Sequence, residues 1–116
     1  MTAPELEPHV ICLLRAAPDR PELPEEELDA IQDRHVAYQQ QLRADGKIAA
    51  AGPFTDQPDE SWRGLTMYIT SLDEARELAA RDPAVRAGRL VVDVFQWWTP
   101  RGVPLSTPLS TGSSSH

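Results

Sequence analysis

The sequence predicts an α+β fold built from four strands and two helices in the order β-α-β-β-α-β. Four short runs carry apolar residues in continuous or alternating order, which is typical of strands. Two longer segments repeat apolar residues every three or four positions, which is typical of helices. The length of 116 residues suits one domain, which we place at residues 8–100. We therefore expect a four-stranded antiparallel sheet with both helices on one face.

The first strand and the first helix are separated by a proline-rich turn. Branched apolar residues predict a strand over 9–15, and three prolines up to Pro24 end it. The helix is predicted over 24–44, because glutamates fill its first turn and Gly46 follows its end. Spacings of three and four place these side chains on its inward face: Leu28, Ile31, His35, Tyr38 and Leu42.

The second half of the chain predicts the remaining elements. A strand over 47–54 ends at Gly52-Pro53, a polar loop covers 55–61, and the third strand covers 62–70. Ser71 and Glu74 form a capping box that begins the second helix, which ends near residue 81. Asp82-Pro83 favours a further short helical turn, and the last strand covers 89–99. Residues 101–116 are rich in Ser, Thr and Pro, and we expect a flexible tail.

Two of the predicted strands are apolar on both faces. In the first strand Val10, Cys12 and Leu14 alternate with Ile11 and Leu13, and the last strand shows a similar pattern. Two helices on one face leave the other face uncovered, which is costly for apolar surface. We therefore expect a homodimer packed sheet to sheet. The alternative is a monomer whose tail folds over the sheet.

Composition and charge exclude several classes of protein. The 11 Lys and Arg against 18 Asp and Glu give a net charge of -7, so we expect no nucleic-acid partner. The longest apolar runs are about five residues, against roughly 20 needed to span a bilayer, so we expect no membrane partner. The N-terminus lacks a secretory signal, and we expect a cytoplasmic chain. Isolated histidines, a single cysteine and the lack of a Gly-rich phosphate loop predict no metal and no cofactor.

His35 and Asp82 are the candidate catalytic residues. His35 interrupts an apolar helical stripe, so its imidazole faces the sheet, where it is either a general acid or base or a buried neutral histidine bonded to a carbonyl. Asp82 either accepts a hydrogen bond from His35 and orients it, or only caps the helical turn at Pro83.

Gly52, Pro53 and Tyr38 are the candidate substrate-binding residues. Gly52 permits close backbone approach and Pro53 stiffens the turn, so together they either form a pocket wall or only end the strand. Tyr38 lies one turn beyond His35 on the same stripe, which places it either beside the pocket or in the core.

A series of short motifs runs through the chain: Arg34-His35, Asp45-Gly46-Lys47-Ile48, Ala51-Gly52-Pro53, Ser71-Leu72-Asp73-Glu74-Ala75, Asp82-Pro83 and Ala87-Gly88. In order and spacing they resemble the YCII-related (YciI-like) domain family over residues 8–100. The resemblance implies a ferredoxin-like fold in the dimeric α+β-barrel superfamily. It also implies an active site whose histidine and aspartate correspond to His35 and Asp82, beside the Gly52-Pro53 motif. At least one member is similar to a dehydrochlorinase of a chlorinated hydroxyquinol, which eliminates HCl by acid/base chemistry.

The residues and the resemblance together predict a cofactor-independent small-molecule enzyme. In this hypothesis His35 moves a proton and Asp82 orients it, in an elimination, isomerisation or related proton transfer on an aromatic or polyketide-like compound. The alternative function is a non-catalytic dimer that binds a small ligand or a partner protein through the same cleft. A third interpretation is a dimerisation unit without a ligand.

Overall fold

The strands and helices follow the predicted order in the computed structural model, which describes residues 5–102. The elements are β1 Leu6–Ala16, α1 Glu25–Ala44, β2 Ile48–Pro53, β3 Trp62–Tyr68, α2 Leu72–Ala80, α3 Pro83–Arg86 and β4 Leu90–Pro100. The strands form one antiparallel sheet in the order β2-β3-β1-β4. The predicted α+β fold class is confirmed. Of the predicted tail at 101–116, residues 103–116 lie outside the described residues.

The helix boundaries follow from local chemistry. Gly46 has a φ of 72°, a left-handed conformation that costs glycine little, and it ends the turn after α1. The Ser71 hydroxyl accepts a hydrogen bond of 3.1 Å from the backbone N–H of Glu74, which caps α2 as the sequence predicts. None of the helices within residues 5–102 has the length and apolar character of a membrane span.

One face of the sheet carries the helices and the main core. Val10, Cys12 and Leu14 of the inner strand β1 are buried there. They cluster with Leu42 of α1 and Ala75 of α2, so the helices pack on this face. Small alanines on α2 let that helix approach the sheet closely, and buried apolar area of this kind is the main stabilising term of the fold.

The opposite face of the sheet, which we call the open face, is apolar, and no helix of residues 5–102 packs on it. Register places Ile11 of β1 beside Met67 and Phe95, and Leu13 beside Leu65. Phe95 is 45% exposed although it lies in a strand interior. Trp97 lies on the same face, and so does the ion pair of Arg15 with Asp93.

The structure corrects the start of the first strand and adds one detail to the last. β1 begins at Leu6 rather than at residue 9 and includes Pro8. This end of β1 pairs with β4 alone, so the N–H that proline lacks is not needed for a hydrogen bond to β3. Alternation along the last strand predicts that Trp98 shares the core face with Val94. The register with β1 keeps Trp98 on that face, but its side chain is 52% exposed, because β4 extends past the segment of β1 that pairs with β3.

Candidate active site

A cleft of about 710 Å³ lies between α1 and the sheet. Its helical wall is formed by α1 residues from Leu28 to Arg43. Its sheet side includes Leu14, Ile48, Ala51, Gly52, Pro53 and Thr66. The volume and the mixture of apolar and polar walls suit a small organic molecule.

His35 lines this cleft from the middle of α1. Its Nδ1 lies 2.7 Å from Oδ2 of Asp82, and its side chain is 18% exposed. A carboxylate accepts rather than donates, so Nδ1 carries the proton of this bond. The other ring nitrogen, Nε2, makes no hydrogen bond within residues 5–102 and is not sealed from solvent. The hydrogen bond therefore leaves Nε2 as the ring atom that a molecule in the cleft can reach.

Asp82 takes part in two contacts at once. Its side chain is 3% exposed, and its Oδ2 accepts from His35 while its Oδ1 accepts from the backbone N–H of Ala84 at 2.9 Å. The second bond caps α3, with Pro83 at the first helical position. Capping and orientation of the histidine are alternatives in the sequence, and the structure contains both contacts.

Gln39 is a neighbour of this pair that the sequence pattern did not single out. It lines the cleft one turn after His35, and its Nε2 lies 3.5 Å from Oδ2 of Asp82. Its Oε1 is buried without a hydrogen-bond partner among the described residues. The spacing of four positions from His35 is the signal that could have identified it, because such residues share a helix face.

Gly52 and Pro53 line the cleft, and Gly64 of β3 explains how closely the two strands approach there. A Cβ built on Gly64 would lie 2.7 Å from the Gly52 carbonyl oxygen, shorter than real Cβ contacts. Gly64 is therefore required by packing, whereas a Cβ on Gly52 would meet nothing within 4 Å. The strand-end motif points to Gly52 and not to Gly64, since the cross-strand register is not visible in the chain order.

Tyr38 does not join the other candidate substrate-binding residues. Its hydroxyl donates a hydrogen bond of 2.7 Å to the Leu78 carbonyl of α2, and it is not among the residues that line the cleft. Burial raises the pKa of Tyr38, so the phenol stays protonated and keeps this bond near neutral pH. Tyr38 thus links α1 to α2, because the stripe that carries it turns away from the cleft along the helix.

Neither a reactive thiol nor a metal cluster adds to the chemistry of the described residues. Burial, followed by the nearby charge of Asp82, raises the pKa of Cys12 to about 12, so its sulfur is a thiol and a poor nucleophile at neutral pH. Within residues 5–102 no three His, Cys, Asp or Glu side chains group as ligands for a metal ion. His35, with Asp82 as its hydrogen-bond partner, is therefore the group at the cleft that is best placed for acid/base chemistry.

Arginines are the other charged feature of the cleft. Arg20, Arg43, Arg63 and Arg89 line it, against one lining carboxylate, Asp29. No sequence pattern singles them out, since they lie in four different segments and show no local run of positive charge. Only the folded chain brings them to one cavity.

Comparisons with known proteins bear on the fold and the family. The chain is similar to a 5-chloro-2-hydroxyhydroquinone dehydrochlorinase from Burkholderia phenoliruptrix, solved with 2,5-dihydroxybenzoquinone, at 24% identity and a TM-score of 0.46 over 76% of this chain and 92% of that one. A hypothetical protein of Arabidopsis thaliana is similar at 18% identity and a TM-score of 0.46, over 90% and 97% of the two chains. No curated protein sequence matches. The sequence model of the YCII-related domain matches residues 9–98, which include His35, Gly52, Pro53 and Asp82, and the chain therefore belongs to the YCII-related domain family.

Proposed function

We propose that the chain is a small-molecule enzyme that moves protons with His35 and orients that residue with Asp82. One observation supports this most directly: His35 lines a cleft of about 710 Å³ while its Nδ1 is hydrogen-bonded at 2.7 Å to the buried Asp82 carboxylate. A histidine held in one tautomer by a carboxylate, with its second nitrogen accessible, is the arrangement that general acid/base chemistry requires.

The proposed reaction begins with proton removal by Nε2 of His35. Because Nδ1 already carries a proton, the ring becomes a cation, and the adjacent Asp82 carboxylate stabilises it. In an isomerisation His35 returns that proton to a second atom of the substrate. In an elimination the electron pair of the broken C–H bond forms a double bond. The leaving group then departs with the electron pair of its bond to carbon. Neither course needs a cofactor.

The walls of the cleft favour an aromatic or polyketide-like compound as the substrate. Its apolar lining includes Leu14, Leu28, Ile31, Val36 and Leu90. Such walls contribute affinity for a ring or an unsaturated carbon chain, which on binding would displace water from the imidazole. Gly52 and Pro53 are proposed to contact the substrate from the sheet side of the cleft.

We also propose that the enzyme is a homodimer packed through the open face. This face is apolar across β3, β1 and β4, and its charged pair, Arg15 with Asp93 at 2.7 Å, is satisfied within the chain. A second copy therefore meets mainly apolar area beside a charge pair that is already satisfied. The helix-covered cleft lies on the other face of the sheet and stays accessible in such a dimer.

Deuterium uptake from D₂O tests the proposed function even while the natural substrate is unidentified. Phenolic and β-dicarbonyl compounds are incubated with the protein in D₂O, and NMR measures C–H exchange above the uncatalysed rate. We expect His35→Gln to lower the exchange rate about 10²–10⁴-fold, the usual range for a general acid or base. His9→Gln is the control, because His9 lies on β1 outside the cleft and bonds to Thr99. Equal rates for His35→Gln and the unchanged chain would reject the catalytic role, and binding without exchange would favour the non-catalytic module.

A further inference from the structure

We propose that the substrate carries a carboxylate and that Arg20 and Arg89 bind it while its reacting carbon faces His35. This inference rests on the proposed function and names the chemical class of the substrate for that same cleft. Three features support it: the distribution of the arginines, the contacts that hold two of them, and the apolar walls around them.

The arginines of the cleft are not used in ion pairs. Lys47 is the only lysine, so the 11 Lys and Arg comprise ten arginines, all within residues 5–102. Four of them have a carboxylate within 4.0 Å: Arg15, Arg76, Arg81 and Arg101. Four of the other six line the cleft. In a chain with a net charge of -7, this gathers uncompensated positive charge at one cavity, and such a cavity attracts an anion.

Two of these arginines are held in place by the backbone of the turn after β1. Arg20 Nη1 donates to the Ala17 carbonyl at 3.1 Å, and Arg89 Nη1 donates to the Pro21 carbonyl at 2.6 Å. The backbone N–H of Ala17 in turn donates to the Arg89 carbonyl at 3.0 Å, which ties the two arginine-bearing segments together. Each guanidinium has five N–H donors, so several remain for a ligand. Two anchored guanidinium groups form a preorganised site for a planar oxyanion.

The same backbone places this pair next to the catalytic candidates. The N–H of Arg89 donates to the Ala84 carbonyl at 3.0 Å, and the N–H of Ala84 donates to Asp82 at 2.9 Å. Asp82 accepts from His35. Hydrogen bonds therefore connect Arg89 to His35 through Ala84 and Asp82, and both Arg89 and His35 line the same cleft. We infer that one small molecule contacts both side chains.

The walls between the two ends favour a carboxylate over a phosphate ester. Most of the exposed surface of the cleft is apolar, and Leu28, Ile31 and Val36 of α1 contribute to it. Phosphorylated metabolites bring hydroxyl-rich bodies, which lose hydration against the apolar part of this lining. An aromatic or unsaturated acid buries its carbon skeleton there and needs only one anionic end bound.

Ligand titration of the full chain, followed by NMR or calorimetry, tests the inference with benzoate, its neutral isostere benzamide and inorganic phosphate. We expect benzoate to bind at least tenfold more tightly than benzamide, and Arg89→Gln and Arg20→Gln each to weaken benzoate about tenfold without changing benzamide. Arg34→Gln removes the same charge from the exposed side of α1 and should leave both affinities unchanged. Because Arg89 also anchors the turn, Arg20→Gln keeps the test informative if Arg89→Gln unfolds.

The outcomes separate this inference from the proposed function. His35→Ala should still bind benzoate within about threefold of the unchanged chain, since the arginines hold the anion. Equal affinity for benzoate and benzamide, or equal loss in Arg34→Gln and Arg89→Gln, would overturn the carboxylate assignment while leaving the exchange test of His35 intact. Phosphate that displaces benzoate at equal or lower concentration would overturn it in favour of a phosphorylated substrate.

Discussion

His35 interrupts an otherwise apolar stripe of α1, and the proposed chemistry depends on it. An imidazole among apolar side chains is unfavourable when its nitrogens lack hydrogen bonds. Here the Asp82 carboxylate, 2.7 Å from Nδ1, accepts the Nδ1 proton and fixes the tautomer. The accessible Nε2 is then available for proton transfer. At the scale of single residues, the site is therefore a pair rather than a lone histidine.

Asp82 can be tested by two substitutions that separate its contacts. Asp82→Asn keeps an oxygen to cap Ala84 but loses the negative charge, so we expect proton-transfer activity to fall more than tenfold with a loss of stability below about 1 kcal/mol. Asp82→Ala removes the cap and leaves His35 Nδ1 without its acceptor, and we expect a loss of about 2–4 kcal/mol. Urea unfolding and the deuterium exchange assay measure the two effects. Full activity of Asp82→Asn would show that the charge is not needed.

Cys12 predicts an alkaline loss of stability. Its pKa is raised from 9.0 to about 12 in the folded chain, mainly by burial, so above pH 9 the unfolded thiol releases a proton that the folded thiol retains. The stabilisation is complete below pH 9 and is lost as the pH rises towards 12, with a slope of at most about 1.4 kcal/mol per pH unit from this group. Urea unfolding at pH 8 to 10 should show a steeper decline for the unchanged chain than for Cys12→Ala. Identical slopes would contradict the prediction.

At the scale of elements, the approach of β2 to β3 sets the shape of the cleft. Gly64 of β3 lies so close to the Gly52 carbonyl that a side chain would not fit between them. This close strand pairing positions the end of β2, which lines the cleft opposite α1. The floor of the site thus depends on a strand pairing rather than on any residue that touches a ligand through its side chain.

Substitutions of the two glycines test this strand pairing. Gly64→Ala should destabilise the fold by about 1–3 kcal/mol and weaken ligand binding, because β2 must move away from a Cβ at 2.7 Å. Gly52→Ala is the matched control and should change the unfolding free energy by less than about 0.5 kcal/mol, as its Cβ would meet nothing within 4 Å. Chemical denaturation checks both values. A tolerated Gly64→Ala would mean that the sheet edge relaxes freely.

The element order was predictable because each boundary has a local chemical cause. Ser71 caps α2, Gly46 follows α1 and Pro83 begins α3, and all three act within a few residues. The packing between elements was predictable only in part. Alternation correctly separated the two faces of β1, whereas the exposure of Trp98 depends on how far β4 extends past its neighbours, which no local pattern records.

The candidate site divides in the same way. The stripe on α1 pointed to His35, but it also pointed to Tyr38, whose side chain turns to Leu78 instead of the cleft. A helix stripe is wider than the wall of one cavity, so spacing alone does not separate these two directions. Arg20 and Arg89 meet through backbone contacts between distant segments, and their contribution appears only in the folded chain.

At the scale of the whole molecule, the two faces of the sheet differ in how they are covered. The helices bury one face, while Phe95 and Trp97 on the open face remain 45% and 47% exposed. Exposed apolar area of this extent in a strand interior indicates a missing partner surface. The proposed second copy supplies that surface and leaves the cleft accessible.

A charge placed on the open face should separate the dimer. The unchanged chain is expected to sediment at twice 12.9 kDa at micromolar concentration, and Trp97→Asp at the mass of one chain, because an unpaired carboxylate in an apolar interface is costly. Leu6→Asp is the control, since Leu6 is 49% exposed but lies on the other side of the sheet by alternation along β1. A monomeric unchanged chain would refute the dimer without affecting the proposal for His35.

The hydrogen bonds that Asp82 accepts from His35 and from Ala84 have a consequence for how the site evolves. Selection for folding alone is enough to retain a capping side chain at position 82, because its oxygen caps Ala84 whether or not any reaction takes place. The imidazole has no comparable second duty, as its only hydrogen bond within residues 5–102 is to that carboxylate. A descendant that abandoned proton transfer would therefore keep Asp or another capping residue such as Asn at position 82, while position 35 would accept other residues. Among descendants of this chain, His at position 35 rather than Asp at position 82 would therefore mark those that perform the proposed proton transfer.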